Sequence, residues 1–136
     1  MTTSTDPLSP AKRILLVDDN ADAVLILSMS LRLKGYAVEG CHSGQQALEL
    51  TQTWRPQALL LDISMPGMDG YETCRRLRQL PWGQDVVIIA LTGYSQDEDR
   101  QRTQEAGFDW HLVKPVDLAV LPNLLTELID QAQAGN

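Results

Sequence analysis

Five short apolar runs punctuate this chain, and four of them stop at a charged or hydroxyl side chain. Arg13-Ile14-Leu15-Leu16-Val17 runs into Asp18-Asp19, and Ala58-Leu59-Leu60-Leu61 runs into Asp62. Val86-Val87-Ile88-Ile89-Ala90-Leu91 meets Thr92, and Trp110-His111-Leu112-Val113 meets Lys114-Pro115. If these strands lie parallel, their carboxyl ends share one edge of a sheet, where open α/β folds bind ligands. Three carboxylates, a hydroxyl and an ammonium are then expected to converge on one crevice.

Helix signals fill the gaps between strands. Residues 21–34 read as a helix closed by Gly35, and Tyr36 to Cys41 alternates as a strand nearer a sheet edge. Ser43 with Gln46 has the spacing of a capping box opening a helix to Trp54, which Arg55-Pro56 ends. Asp69 with Glu72 caps a helix to about Gln79, and Leu80-Pro81-Trp82-Gly83 forms a turn. Ser95 with Glu98 opens the next helix, ended by Gly107. The last begins near Asp117, with leucines at helical spacing and Pro122 set to kink or delay it. Strand and helix alternate five times, which predicts a doubly wound α/β fold with a parallel sheet and helices on both faces.

A chain of 136 residues is expected to form one domain. Residues 1–12 read as a flexible polar tail, 13–132 as the domain and 133–136 as a second tail. A net charge of −7 argues against non-specific nucleic-acid binding, which rests on Lys and Arg meeting phosphates. Cys41 and Cys74 lack framework spacing, and no apolar run is long enough to cross a bilayer. A cytoplasmic protein without membrane insertion is the expectation. His42 beside Cys41 lacks further ligands nearby in sequence, so both read as structural.

The carboxylates Asp18, Asp19 and Asp62 make an all-oxygen site suited to Mg²⁺ rather than zinc or copper. Without a cation they would repel, and one would take up a proton. Lys114 adds a positive charge and Thr92 a hydroxyl donor. Such a set can stabilise a phosphoryl group in transfer, and an aspartate can itself be the nucleophile.

In the order Asp-Asp, Asp, Thr, Lys-Pro the chain resembles the receiver domains of two-component response regulators. The strings Leu15-Leu16-Val17-Asp18-Asp19-Asn20, Asp62-Ile63-Ser64-Met65-Pro66-Gly67-Met68-Asp69-Gly70 and Ala90-Leu91-Thr92-Gly93 carry the likeness. It implies a flavodoxin-like, five-stranded parallel sheet of order 2-1-3-4-5 with five helices. It also implies that Asp62 is the phospho-acceptor, taking its phosphoryl group from a histidine kinase or histidine phosphotransfer protein. Asp19 would bind Mg²⁺ directly, Asp18 largely through water, and Ser64 through its backbone carbonyl. Lys114 would contact the acceptor carboxylate, with a cis bond to Pro115, and Thr92 would carry the switch.

Such a domain is a signalling switch rather than a metabolic enzyme, and its downstream protein target is unknown from the sequence. The roughly 20 residues after Lys114 suffice only for the last helix, so no output domain is expected. The ending Val113-Lys114-Pro115-Val116-Asp117 resembles receivers of hybrid kinases, the other form being a free-standing regulator. One rival is a degenerate receiver that only binds a partner. Another is a phosphohydrolase of the haloacid-dehalogenase kind, which needs a second aspartate where this chain has Ser64. A nucleotide-binding domain is weaker still, because neither glycine-rich phosphate motif is present.

Three positions before the lysine the family carries Tyr or Phe; here stands His111, a smaller ring with a pH-dependent charge. Phosphorylation is therefore expected to move the Thr92 loop more than the His111 ring. Crystal structures with and without beryllofluoride test this, and an inward flip of His111 would refute it.

Overall fold

The computed structural model describes residues 11–93 and 97–134. Its strands are β1 (Arg13–Val17), β2 (Ala37–Cys41), β3 (Ala58–Asp62), β4 (Val87–Thr92) and β5 (Trp110–Val113). They form one parallel sheet in the order β2-β1-β3-β4-β5. The helices are α1 (Ala21–Leu33), α2 (Gly44–Trp54), α3 (Gly70–Gln79), α4 (Asp97–Ala106) and α5 (Leu121–Ala134).

The period-2 geometry of a strand sends alternate side chains to opposite faces. Ile14, Leu16, Leu60, Ile89 and Leu91 pack on one face with Leu27 and Leu31 of α1 and Leu121, Leu125 and Ile129 of α5. Leu15, Val17, Leu59, Leu61, Ile88 and Ala90 pack on the other with Ala47 of α2, Cys74 and Leu77 of α3, and Ala106 of α4. The central strands are buried on both faces, which is why they read as unbroken apolar runs. The edge strand β5 is only half covered, with Trp110 and Val113 exposed.

Local chemistry sets the helix ends. Asn20 caps α1, its side chain accepting from the N–H groups of Asp22 and Ala23. Ser43 and Asp69 cap α2 and α3 as the sequence predicts, each accepting from the N–H three residues on. The reciprocal half of neither capping box forms. Gln46 takes the N–H of His42 instead, and Glu72 turns to Arg75 and Arg76, which offer charge-assisted bonds. Gly35 and Gly107 adopt positive φ where α1 and α4 end. Arg55, barred by Pro56 from the right-handed helical region, takes φ 42°, and its guanidinium lies 4.7 Å from the Trp82 ring centroid. Trp82 is half-buried and gives its indole N–H to Thr51, so it is not a free surface residue.

At the start of the last helix the structure takes one of the two outcomes that Pro122 left open, the delayed start, and at its far end it runs past the expected boundary. Starting at Asp117 would put Pro122 beyond the first turn, where its ring meets a preceding carbonyl. The helix starts at Leu121 instead, leaving Pro122 where no N–H is needed. Its far end includes residues 133 and 134, which the sequence reading assigned to the tail. Ser95, expected to cap α4 together with Glu98, lies outside the described residues, as do Tyr94 and the Glu98 side chain, so that cap is not described.

At the amino-terminal edge of the sheet Arg78 gathers four segments. Its guanidinium donates to the carbonyls of Gly83, Val86 and Gly107 at 2.7–2.9 Å and to Asp109 Oδ2 at 2.8 Å. The same carboxylate oxygen accepts from Ile88 N–H. Removing the guanidinium strands several acceptors at once. Arg78→Met should lower the unfolding free energy by about 2–3 kcal/mol, measured by urea denaturation, without changing metal affinity at the opposite edge.

Candidate functional site

The strand register aligns the polar residues. Asp62 and Thr92 are the last residues of β3 and β4, and Asp18 directly follows β1. Lys114 follows β5, and its N–H donates to Thr92 O at 2.8 Å, extending the ladder one step past the sheet. The Lys114–Pro115 peptide bond is cis. Asp18, Asp62 and Thr92 are buried, while Asp19 stands exposed at the rim.

One oxygen each from Asp18, Asp19 and Asp62 falls within a mutual distance of 4.8 Å. Lys114 Nζ bonds Asp18 Oδ2 at 3.0 Å and lies 3.5 Å from Asp62 Oδ2. Ser64 N–H donates to Asp62 Oδ1 at 3.0 Å, and Asn20 N–H to Asp18 Oδ1 at 2.9 Å. His111 is half-buried on β5, paired in register with Ala90.

Burial raises the Asp62 pKa from its ordinary value, and the neighbouring Asp18 charge adds to the rise. The Ser64 N–H and the Lys114 ammonium pull it back without cancelling it. Burial also works against the Lys114 charge, but its bond to Asp18 and the charges of Asp62 and Asp18 outweigh that and raise its pKa. Three carboxylates facing one ammonium leave two negative charges over. A divalent, oxygen-seeking cation fits that donor set, and Asp18, Asp19 and Asp62 could hold it.

Three contributors escaped the sequence reading. Asn20 both caps α1 and braces Asp18; an Asn just before an apolar-periodic run was the available signal. Gly70 lets the start of α3 press on the Asp62 turn, since a Cβ there would come within 2.6 Å of Asp62 O. His42 Nδ1 lies 3.0 Å from the backbone oxygen of Asp18, a long-range contact without a local signature.

Beside the acidic cluster runs a groove of about 520 Å³, lined by Asn20, Ala23 and Ile26 on one side and by Pro115, Val116 and Leu118 on the other. A larger one, about 730 Å³, lies between α2 and α3 with Leu48, Arg76, Leu80 and Trp82 in its walls. It is the charged cluster, not the volume, that identifies the site.

Residues 14–126 match the family model of the response regulator receiver domain. An uncharacterised 14.6 kDa protein of Leptolyngbya boryana is 40% identical over 118 residues, 87% of each chain. The response regulator MprA of Mycobacterium ulcerans is 43% identical over 109 residues, 80% of this chain but only 46% of that protein. The chain thus spans less than half the length of that relative. Among solved structures, a chemotaxis response regulator of Vibrio cholerae has 29% identity and a TM-score of 0.82, covering 87% of this chain and 98% of its own. The receiver domain of a Pseudomonas aeruginosa sensor histidine kinase, with magnesium coordinated in its active-site cleft, has 35% identity and a TM-score of 0.81. Here the match covers 88% of this chain and 98% of that one.

A carboxyl whose native pKa lies above its unfolded value favours folding when protonated. That stability is present below the unfolded value and is lost as pH rises through the native one. In EDTA at neutral pH, Asp62→Asn should therefore raise the melting temperature by several degrees. The gain should fade as the pH falls toward the ordinary carboxylate range and the wild-type carboxyl takes up its proton. Calorimetry across that range checks it, and a lower melting temperature for the variant at neutral pH would contradict the account.

Proposed function

Because the chain belongs to the response regulator receiver domain family, we propose that it is a phospho-accepting switch of two-component signalling with Asp62 as the acceptor. The observation that carries this reading is the grouping of Asp62 with Asp18, Asp19 and Lys114 at the carboxyl edge of the sheet. The donor is a phosphohistidine on a histidine kinase or histidine phosphotransfer protein. An Asp62 carboxylate oxygen attacks phosphorus, and the donor's phosphorus–nitrogen bond breaks as the new phosphorus–oxygen bond forms.

Mg²⁺ held by Asp18, Asp19, Asp62 and the Ser64 carbonyl would keep the carboxylates ionised and neutralise charge on the transferring group. The Lys114 ammonium, already between Asp18 and Asp62, moves to a phosphoryl oxygen. Thr92 gives its hydroxyl to another and draws its loop inward, with His111 in the place of the usual aromatic partner. Phosphorylation then biases an equilibrium between two surface states, and the output is binding to a downstream protein.

The groove between α1 and the segment after β5 suits the donor. It opens beside Asp18 and Lys114 and offers Ile26, Val116 and Leu118 to a helical partner. Residues 13–132 form the receiver unit, with the last turn of α5 running on to Ala134. Two unpaired cysteines, and no helix among the described residues long and apolar enough to cross a membrane, support a cytoplasmic setting. The charge of −7 supports protein rather than nucleic-acid partners.

Incubation with acetyl phosphate and Mg²⁺ should add the mass of one phosphoryl group, read by intact-protein mass spectrometry. EDTA or Asp62→Asn should abolish the gain, and Lys114→Ala should reduce it at least tenfold. A wild type that neither gains mass nor binds beryllofluoride would mark a receiver that works only as a binding module.

A further inference from the structure

The solvent face of α1 is apolar where a surface helix is ordinarily charged. Leu25, Ile26 and Met29 are each 56% exposed and Leu33 is 87% exposed. Between Asp22 and Arg32 the helix carries no charged residue. Val24, Leu27 and Leu31 already supply its contact with the sheet, so the outer residues are surplus to the core.

We propose that a second copy of this chain covers it, with the two α1 helices packed antiparallel about a two-fold axis at Met29. Leu25, Met29 and Leu33 follow one another at four-residue intervals and form a single i±4 ridge, the element that interdigitates when two helices cross. The ridge is symmetric about its centre. An antiparallel copy therefore sets Leu25 against Leu33 of the second copy and Met29 against itself, as an isologous interface requires.

Charge selects the same orientation. Exposed Asp22 stands at the start of α1, and exposed Lys34 stands at its end beside Arg32, whose guanidinium also donates to Val38 O. Antiparallel packing brings acid to base at both ends, whereas parallel packing would stack acid on acid and base on base. One helix face is smaller than a standard interface, so the dimer is weak and concentration-dependent. Ile26 borders both this ridge and the groove beside the acidic cluster. Self-association and occupation of that groove consequently compete.

Sedimentation equilibrium of the full chain tests the proposal directly. Between micromolar and roughly 1 mM protein, the weight-average mass should climb from that of the monomer toward twice that value. Met29→Glu and Met29→Lys should each hold the monomer mass, because each sets like charges together on the axis. Mixed in equal amounts, the two should associate where neither does alone. Leu25→Lys mixed with Leu33→Glu checks the register in the same way. Far-UV circular dichroism confirms that the exposed substitutions leave the fold intact. A wild type that stays monomeric throughout overturns the proposal, as do Met29 variants that associate like wild type or mixtures that stay monomeric.

Discussion

The carboxyl edge of this sheet depends on one ammonium group. Asp18 and Asp62 are both almost fully buried within one pocket, with carboxylate oxygens within 4.8 Å of each other, and like charges about 4 Å apart repel by about 4 kcal/mol at an effective dielectric of 20. Lys114 reaches both, and it can do so because β5 ends level with β4 and its N–H is tied to Thr92 O. The ammonium offsets part of the repulsion and leaves an excess of negative charge. A pocket in that condition gains from any added positive charge and is sensitive to where its single lysine sits. Electrostatic tension and responsiveness have one origin here.

The sheet supplies the rigidity such a pocket needs. Its central strands are buried on both faces, and each delivers its polar residue at or just past the last ladder position. Gly70 adds the close approach of α3 to the Asp62 turn, and Asn20 adds a brace from the opposite helix. Backbone N–H groups from two different turns thereby fix the two buried carboxylates, leaving Asp19 and Lys114 more exposed at the rim.

Much of this was legible in the sequence, because the signals were local. Apolar runs marked the strands, glycines marked helix ends, and polar residues at strand ends marked the crevice that gathers Asp18, Asp19, Asp62 and Lys114, with Thr92 at the neighbouring end of β4. What escaped depends on contacts between distant segments. The partner of Gln46 is the N–H of His42 rather than that of Ser43, and the approach of His42 to Asp18 spans the β1–β2 pair. The start of α5 turned on a local conflict at Pro122 that left two outcomes open, and the proline's first-turn preference decided it. The Arg78 cluster joins segments up to 31 residues apart and has no motif at all.

That cluster has a consequence for how the molecule tolerates change. Arg78 knots the amino-terminal edge of the sheet, while the acidic pocket occupies the carboxyl-terminal edge, and the two share no hydrogen-bond partner. Energetic effects at sites so separated combine additively. Losses and gains at the base sum independently of the pocket's charge balance. The rim can thus be rewritten for new partners while the foundation, a strand length away, holds its own free energy unchanged.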